Sequence, residues 1–492
     1  MTERYPFKRY PYYDLVRSVD SNKISFLLGP RKTGKTVCLK QMEDTYENSQ
    51  YVDFKGMNTE MQMEALEVVY NAIKKGEYKV FLLDEFTYLD NPDLHLEVIA
   101  DTLNSYPQAQ TRIVISGSQS VALNIWMNRS FCGNAGKVYV DFLSYPEFLD
   151  FKGITEVSPD SYNRFLFESS DFYMFRSLEE YLSACIDETV ISNMKSLGLI
   201  FDNDCELLRD NTEVLLNICY QTMFSLHNQV SVGSFFKDNK IFDTIKGIFH
   251  ELYHELGDKV LSQKIETSFI SSYNNIKSQG ADVLRQAFIF LKQCGLITIT
   301  PVVRDLESVP NVYKSMVIED AKIDCKADLF TKFNITINYP MFYVQILKDI
   351  LGDDMPRKLP AALVGSIVEC QIRGMLLNGF EYHGIDESGV ESEIDYVNFS
   401  KNLAIEFTIS PHHKTHFELL PEGMEFVCLT RNKNQIIGNV RNVDYCTFLY
   451  ELSSRNKILG QTKQNMNSTD SLKDVDPTHT GCDDMKLNLT EG

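Results

Sequence analysis

Eight consecutive residues, Gly29-Pro30-Arg31-Lys32-Thr33-Gly34-Lys35-Thr36, carry the chemistry most easily read from this chain. They fit G-x-x-x-x-G-K-[ST], a loop whose glycines let successive backbone N–H groups turn toward phosphate oxygens. The apolar run Ile24 to Leu28 reads as a buried strand feeding the loop. Lys35 to Met42 has helical apolar spacing, so the loop ends at a helix N-terminus with its partial positive charge. Within this frame Lys35 reaches the β- and γ-phosphates, the Thr36 hydroxyl binds Mg²⁺, and the backbone from Gly29 to Val37 cradles the polyphosphate.

A second constellation completes the chemistry. Lys79-Val80-Phe81-Leu82-Leu83-Asp84-Glu85 is an apolar strand ending in adjacent carboxylates. At the strand tip Asp84 holds Mg²⁺ through its water shell, and Glu85 polarises the attacking water. A third strand, Arg112 to Ile115, ends in Ser116-Gly117-Ser118-Gln119. Ser116 and Ser118 either sense the γ-phosphate and orient the water or cap the helix that follows. Two further β-like runs lie at Tyr51 to Phe54 and Val138 to Val140. Strand and helix thus alternate through the first part of the chain, which predicts an α/β fold with a parallel sheet covered on both faces. Ligands of such sheets bind at the carboxyl ends of the strands.

The 492 residues suffice for several domains. No apolar stretch has the length of a bilayer span, and Met1 to Arg9 lacks a signal-peptide apolar region. Eleven cysteines without metal-type spacing read as reduced thiols of a cytoplasmic protein. A net charge of −20 argues against broad, sequence-independent nucleic-acid binding, so DNA is not the favoured partner. A local exception is Arg4, Lys8, Arg9 and Arg17 interleaved with Tyr5, Tyr10, Tyr12 and Tyr13, either a basic patch or an arm packed on the core.

Downstream, Phe142 to Leu216 has helical spacing and reads as a lid. Asp282 to Cys294 is an amphipathic helix stopped by Gly295, and Leu296 to Thr300 follows as a strand before Pro301. That pattern suggests a winged-helix unit, either DNA-binding or a protein-contact spacer. Farther on, Glu369 lies on an apolar helix, Asp395 and Glu406 on two strand-like runs. Such acids can hold Mg²⁺ for phosphodiester cleavage. The lysine usual two residues after the second-strand acid is replaced by Thr408, with Lys414 in a His412-His413-Lys414-Thr415-His416 segment nearby.

Taken with Leu83-Asp84-Glu85, Ile115-Ser116-Gly117-Ser118, Leu143-Ser144-Tyr145-Pro146-Glu147-Phe148, Gly365 to Glu369, Glu393 to Val397 and Ala404 to Glu406, the layout resembles prokaryotic AAA-type P-loop ATPases with a winged-helix region and a C-terminal restriction-endonuclease-like domain. The resemblance implies an ATPase core over 1–145, a helical lid over 146–224 and a winged-helix region over 225–305. A small α/β nuclease-like domain over 306–455 completes it, and the polar, aromatic-free composition after Gly460 predicts a disordered tail over 456–492. The resemblance implies ATP and Mg²⁺ as cofactors, and a protein partner or self-association. Family members carry Gly-Arg before the Leu-Ser-x-x-Glu-Phe segment, whereas this chain has Gly136-Lys137, with Arg129 upstream. A planar arginine finger contributes roughly 10³–10⁵ in rate, so a lysine implies turnover that is slow or needs a partner, unless Arg129 substitutes. The expected function is therefore a slow, Mg²⁺-dependent ATPase acting as a conformational switch. An ATP-gated nuclease using Glu369, Asp395 and Glu406, or a DNA-binding regulator, are the alternatives, with Thr408 favouring a nuclease fold that has lost cleavage.

Overall fold

A computed structural model describes residues 5–117, 120–131, 134–191 except 174 and 176, 212–224, 230–231, single positions between 264 and 291, 294–303, 332–359, 361–376, 379–385, 391–407 and most of 417–453. Ser118, Thr408, the His412–His416 segment, most of the expected winged-helix segment and the tail lie outside them.

Five strands form the first sheet: β1 (Ile24–Leu28), β2 (Ser49–Asp53), β3 (Val80–Asp84), β4 (Arg112–Ser116) and β5 (Gly136–Tyr139). Their order is β2-β3-β4-β1-β5, and every pairing is parallel. The sequence explains this directly, because β1 and β3 are buried at all five positions and only a sheet covered on both faces has room for such runs. One covering layer contains α3 (Thr59–Lys75), α4 (Pro92–Ser105) and α5 (Ser120–Phe131), which share a core with Phe26, Phe81 and Ile115. The other contains α1 (Tyr10–Ser21) and α2 (Lys35–Thr45), whose Leu15, Val19, Leu39 and Met42 pack with Leu27, Leu82 and Val114. The N-terminal segment is therefore an arm built into the core, rather than a free basic patch.

Helices α6 (Tyr145–Lys152), α7 (Pro159–Glu168), α8 (Leu178–Ile191) and α9 (Thr212–Phe224) follow. They do not form a separate layer. They share one apolar core with α10 (Pro340–Leu351), α11 (Ala361–Leu376) and strands near the C-terminus. Phe142, just after β5, lies at the centre of an aromatic group with Tyr173, Phe175, Tyr181, Tyr339 and Phe342.

The second sheet has nine strands in the order β13-β14-β12-β11-β10-β9-β7-β8-β6. They are β6 (Val230–Ser231), β7 (Ile297–Val303), β8 (Lys332–Ile337), β9 (Phe380–Ile385), β10 (Glu391–Asn398), β11 (Leu403–Phe407), β12 (Glu425–Thr430), β13 (Gln435–Ile437) and β14 (Val440–Asp444). The strand expected to stop before Pro301 runs through it. Ile297 to Pro301 pair with β8, and Val302 and Val303 pair in parallel with β9. Proline sits where the strand changes partner, a position at which a missing N–H is tolerated. β7 therefore joins the C-terminal sheet instead of belonging to a self-contained small unit.

Candidate functional site

The phosphate loop is held from below by the N-terminal arm. The Arg9 guanidinium donates to Glu147 Oε1 at 3.1 Å and Oε2 at 2.9 Å, to the Thr33 carbonyl at 2.7 Å and to the Asp141 carbonyl at 2.8 Å. Glu147 also accepts from the backbone N–H groups of Tyr10 and Ser144 and from the Ser144 hydroxyl. Burial alone raises the Glu147 carboxyl, yet the Arg9 charge and these hydrogen bonds hold it below its ordinary range. One buried ion pair thus fixes the arm, the loop and the start of α6 together.

Backbone geometry accounts for the first loop glycine. At Gly29, with φ 139°, a Cβ would lie 1.9 Å from the Val140 carbonyl oxygen, so only glycine lets the loop leave β1 beside β5. Lys35 is buried, and its Nζ donates to the carbonyls of Gly29 at 2.8 Å and Pro30 at 2.6 Å. Burial pulls its pKa down to about 8, with Arg31 repelling it and Glu85 and Asp84 opposing the shift. Arg31 is buried as well, while Lys32 and Thr36 are exposed. Two buried cations side by side at a helix N-terminus suit a polyanion, which would neutralise both. The donor set therefore fits a nucleotide polyphosphate.

Asp84 and Glu85 lie within the electrostatic reach of Lys35. Asp84 Oδ1 accepts from the Ser116 hydroxyl and from the Glu85 backbone N–H, and Oδ2 accepts from Tyr51 Oη at 2.9 Å. The Ser116 hydroxyl thus orients Asp84 rather than capping a helix. Glu85 has φ 51° and ψ 41°, a left-handed backbone uncommon for a residue with a Cβ. Such strain costs about 1–2 kcal/mol and is stored at sites where a side chain must be aimed. Tyr51 was not legible as a site residue, because its role depends on β2 lying beside β3. Lys137 is exposed on β5 and donates to Asn124 Oδ1 at 2.7 Å, and Arg129 is exposed at the end of α5.

The roof of the loop comes from far downstream. A Cβ at Gly295, which has φ 72°, would lie 3.1 Å from the Pro30 ring and 3.4 Å from Tyr339 Oη. Cys185 on α8 hydrogen-bonds Cys294 and lies in the field of Arg31 and Lys35. Asp141, next to β5, hydrogen-bonds Tyr339.

The three acids expected from the C-terminal part also come together, on one face of the second sheet under α11. Arg373 bridges Glu369 at 2.6 Å and Glu381 at 3.0 Å. Phe407 donates its backbone N–H to Asp395 Oδ2 at 2.6 Å. Burial first, then Glu369, pushes Asp395 up to about 8. Burial first, then Asp395, Glu393 and Glu369, pushes Glu406 up to about 10. Glu381, His383, Glu393 and Arg373 were not singled out in the sequence. The available signal was alternation, since E-x-H on β9 and E-x-D on β10 each place two polar groups on one face.

Residues 21–149 match the family model of the AAA domain. The match assigns an AAA domain to this stretch alone, which contains the phosphate loop and β1 to β5. No curated protein sequence matches the chain. Among solved structures it is similar to the Walker-type ATPase PABY2304 of Pyrococcus abyssi, with 13% identity, 69% of this chain and 95% of that chain covered, and a TM-score of 0.36. It is also similar to AMPPCP-bound DnaA from Aquifex aeolicus, with 12% identity, 58% and 94% covered, and a TM-score of 0.25. At those scores neither likeness carries an argument about this chain. Among the described residues no helix is long and apolar enough to cross a membrane.

Proposed function

We propose that the chain binds ATP with Mg²⁺ at the loop from Gly29 to Val37, hydrolyses it slowly, and uses the nucleotide state to shift how the downstream elements pack. Lys35 contacts the β- and γ-phosphates, Thr36 and Asp84 hold Mg²⁺, Glu85 polarises the water and Ser116 positions Asp84. Bound Mg²⁺ would supply Lewis-acid stabilisation of the transferring phosphoryl group. Ser118 belongs to the same proposal as a γ-phosphate contact. The observation that carries the switch is the seating of Gly295 on Pro30, beside Tyr339. Lys35 Nζ is engaged with the loop's own carbonyls at Gly29 and Pro30. A polyphosphate that draws Lys35 away from them perturbs the peptide on which the roof rests.

Hydrogen exchange of the Glu85→Gln protein with and without Mg·ATP tests this. Changed protection at residues 294–297 and 338–342, together with the loop, is the expected result. A change confined to the loop would leave ATP binding without a switch. A second reading, cleavage of a phosphodiester by the C-terminal part, is favoured by the convergence of Glu369, Asp395 and Glu406. A plasmid-nicking assay with Mg²⁺ or Mn²⁺, with and without ATP, decides it, since activity lost in Asp395→Ala would establish the nuclease.

A further inference from the structure

We infer that Glu381, His383 and Glu393 form a binding site for a divalent transition-metal ion, with Zn²⁺ held more tightly than Mn²⁺ and Mg²⁺. Glu381 and His383 are two residues apart on β9, so their side chains share a face. Glu393 on β10 is the direct cross-strand partner of His383. The antiparallel register therefore brings three ligand types to one spot, and their nearest ligand atoms all lie within 4.8 Å of one another.

His383 Nε2 is 2.6 Å from Glu381 Oε1 and 3.9 Å from Glu393 Oε1. Zinc ligands at about 2.0–2.1 Å on a tetrahedral centre stand roughly 3.3 Å apart. The pair that is now too close opens and the other closes, by movements of about 1 Å or less per atom on that geometry. The Glu393 carboxyl also hydrogen-bonds that of Glu381.

Charge makes the same case. Glu369, Glu381 and Asp395 crowd the Arg373 guanidinium, and Glu393 and Glu406 lie in the field of Glu369 and Asp395. Arg373 also occupies Glu381 Oε2, leaving Oε1 turned toward His383 and fixing its orientation as an outer-shell partner does. Glu381 and His383 are buried while the Glu393 side chain is 52% exposed, so the ion has a route in and open positions for water. An imidazole in the donor set selects against Mg²⁺, which favours oxygen ligands, and the Irving–Williams order places zinc above manganese.

The inference is independent of nucleotide binding. Its test is calorimetric titration of chelator-treated full-length protein with Zn²⁺ alone. The protein carries His412→Ala, His413→Ala and His416→Ala, so that these histidines contribute nothing. One Zn²⁺ per chain is expected, weakened at least tenfold in Glu393→Gln and further in His383→Gln, but within threefold of the parent in Glu425→Gln, an exposed position on β12. Substituted Co²⁺ should give visible absorption bands that His383→Gln alters. If His383→Gln fails to fold, the exposed Glu393→Gln variant decides alone. Zinc binding no tighter than Mg²⁺, or unchanged in Glu393→Gln, would overturn the assignment.

Discussion

Replacing Arg9 by methionine should destabilise the ATPase domain far more than a residue in an N-terminal arm ordinarily would. The guanidinium makes two bonds to Glu147 and one each to the carbonyls of Thr33 and Asp141. Its side chain is 18% exposed and that of Glu147 only 3%, so solvent screens the pair little. Removing one partner of a buried pair leaves an uncompensated charge and costs about 3–5 kcal/mol. For a domain of this size the lower figure corresponds to a fall of about 10 °C in thermal midpoint. Adding Glu147→Gln to Arg9→Met removes the stranded charge, so the double variant should recover at least half of that loss.

The pH dependence has a fixed sign. Glu147 titrates below its unfolded value, so the pair's contribution is full above about pH 4.3, the ordinary value for glutamate, and is lost as pH falls through the lower folded value. The gap between wild type and Arg9→Met should therefore narrow in acid. Calorimetric or fluorescence melts of wild type, Arg9→Met, Glu147→Gln and the double variant measure all of this. Strictly additive losses in the double variant, or an Arg9→Met midpoint equal to wild type, would refute the clamp.

Other substitutions probe the remaining parts. Glu85→Gln should bind Mg·ATP normally but hydrolyse it roughly 10²–10⁴-fold more slowly, the usual worth of a positioned base, as read by phosphate release. Gly29→Ala should prevent stable folding of the ATPase domain or abolish nucleotide binding, because its Cβ would collide with the Val140 carbonyl, and circular dichroism with nucleotide titration tells which. In chelator at pH 7, Glu406→Gln should raise the thermal midpoint of the C-terminal part, because burial and its acidic neighbours push that carboxyl up to about 10 and the native state must hold a proton that glutamine does not need; a lowered midpoint would count against that crowding.

How much of this was legible in the sequence follows from how local each signal is. The loop, Asp84 and the β1, β3 and β4 strands could be read because buried parallel strands are unbroken apolar runs, and the phosphate loop is contiguous. Asp395 and Glu406 could be read because each lies inside such a run. What escaped depends on register and long-range docking. Arg9 reaches Glu147, 138 positions away, and Glu147 was visible only as part of the Leu143 to Phe148 segment, with nothing local to mark Arg9 as its partner. His383 meets Glu393 only because β9 and β10 pair in one register, and Gly295 meets Pro30 only because the turn just before β7 docks on the phosphate loop. Pro301 misled for a related reason: a proline ends a strand with one partner but is accommodated where the strand passes to another.

The central claim is that the loop from Gly29 to Thr36 wraps a triphosphate with Lys35 on its terminal groups. Calorimetric titration of wild type and Lys35→Ala with a non-hydrolysable ATP analogue and Mg²⁺ tests it most directly. One analogue per wild-type chain is expected, with affinity reduced at least about thirtyfold in Lys35→Ala, the value of a lost charge-assisted bond of about 2 kcal/mol. Equal affinity in the two proteins, or no binding by the folded wild type, would contradict the account.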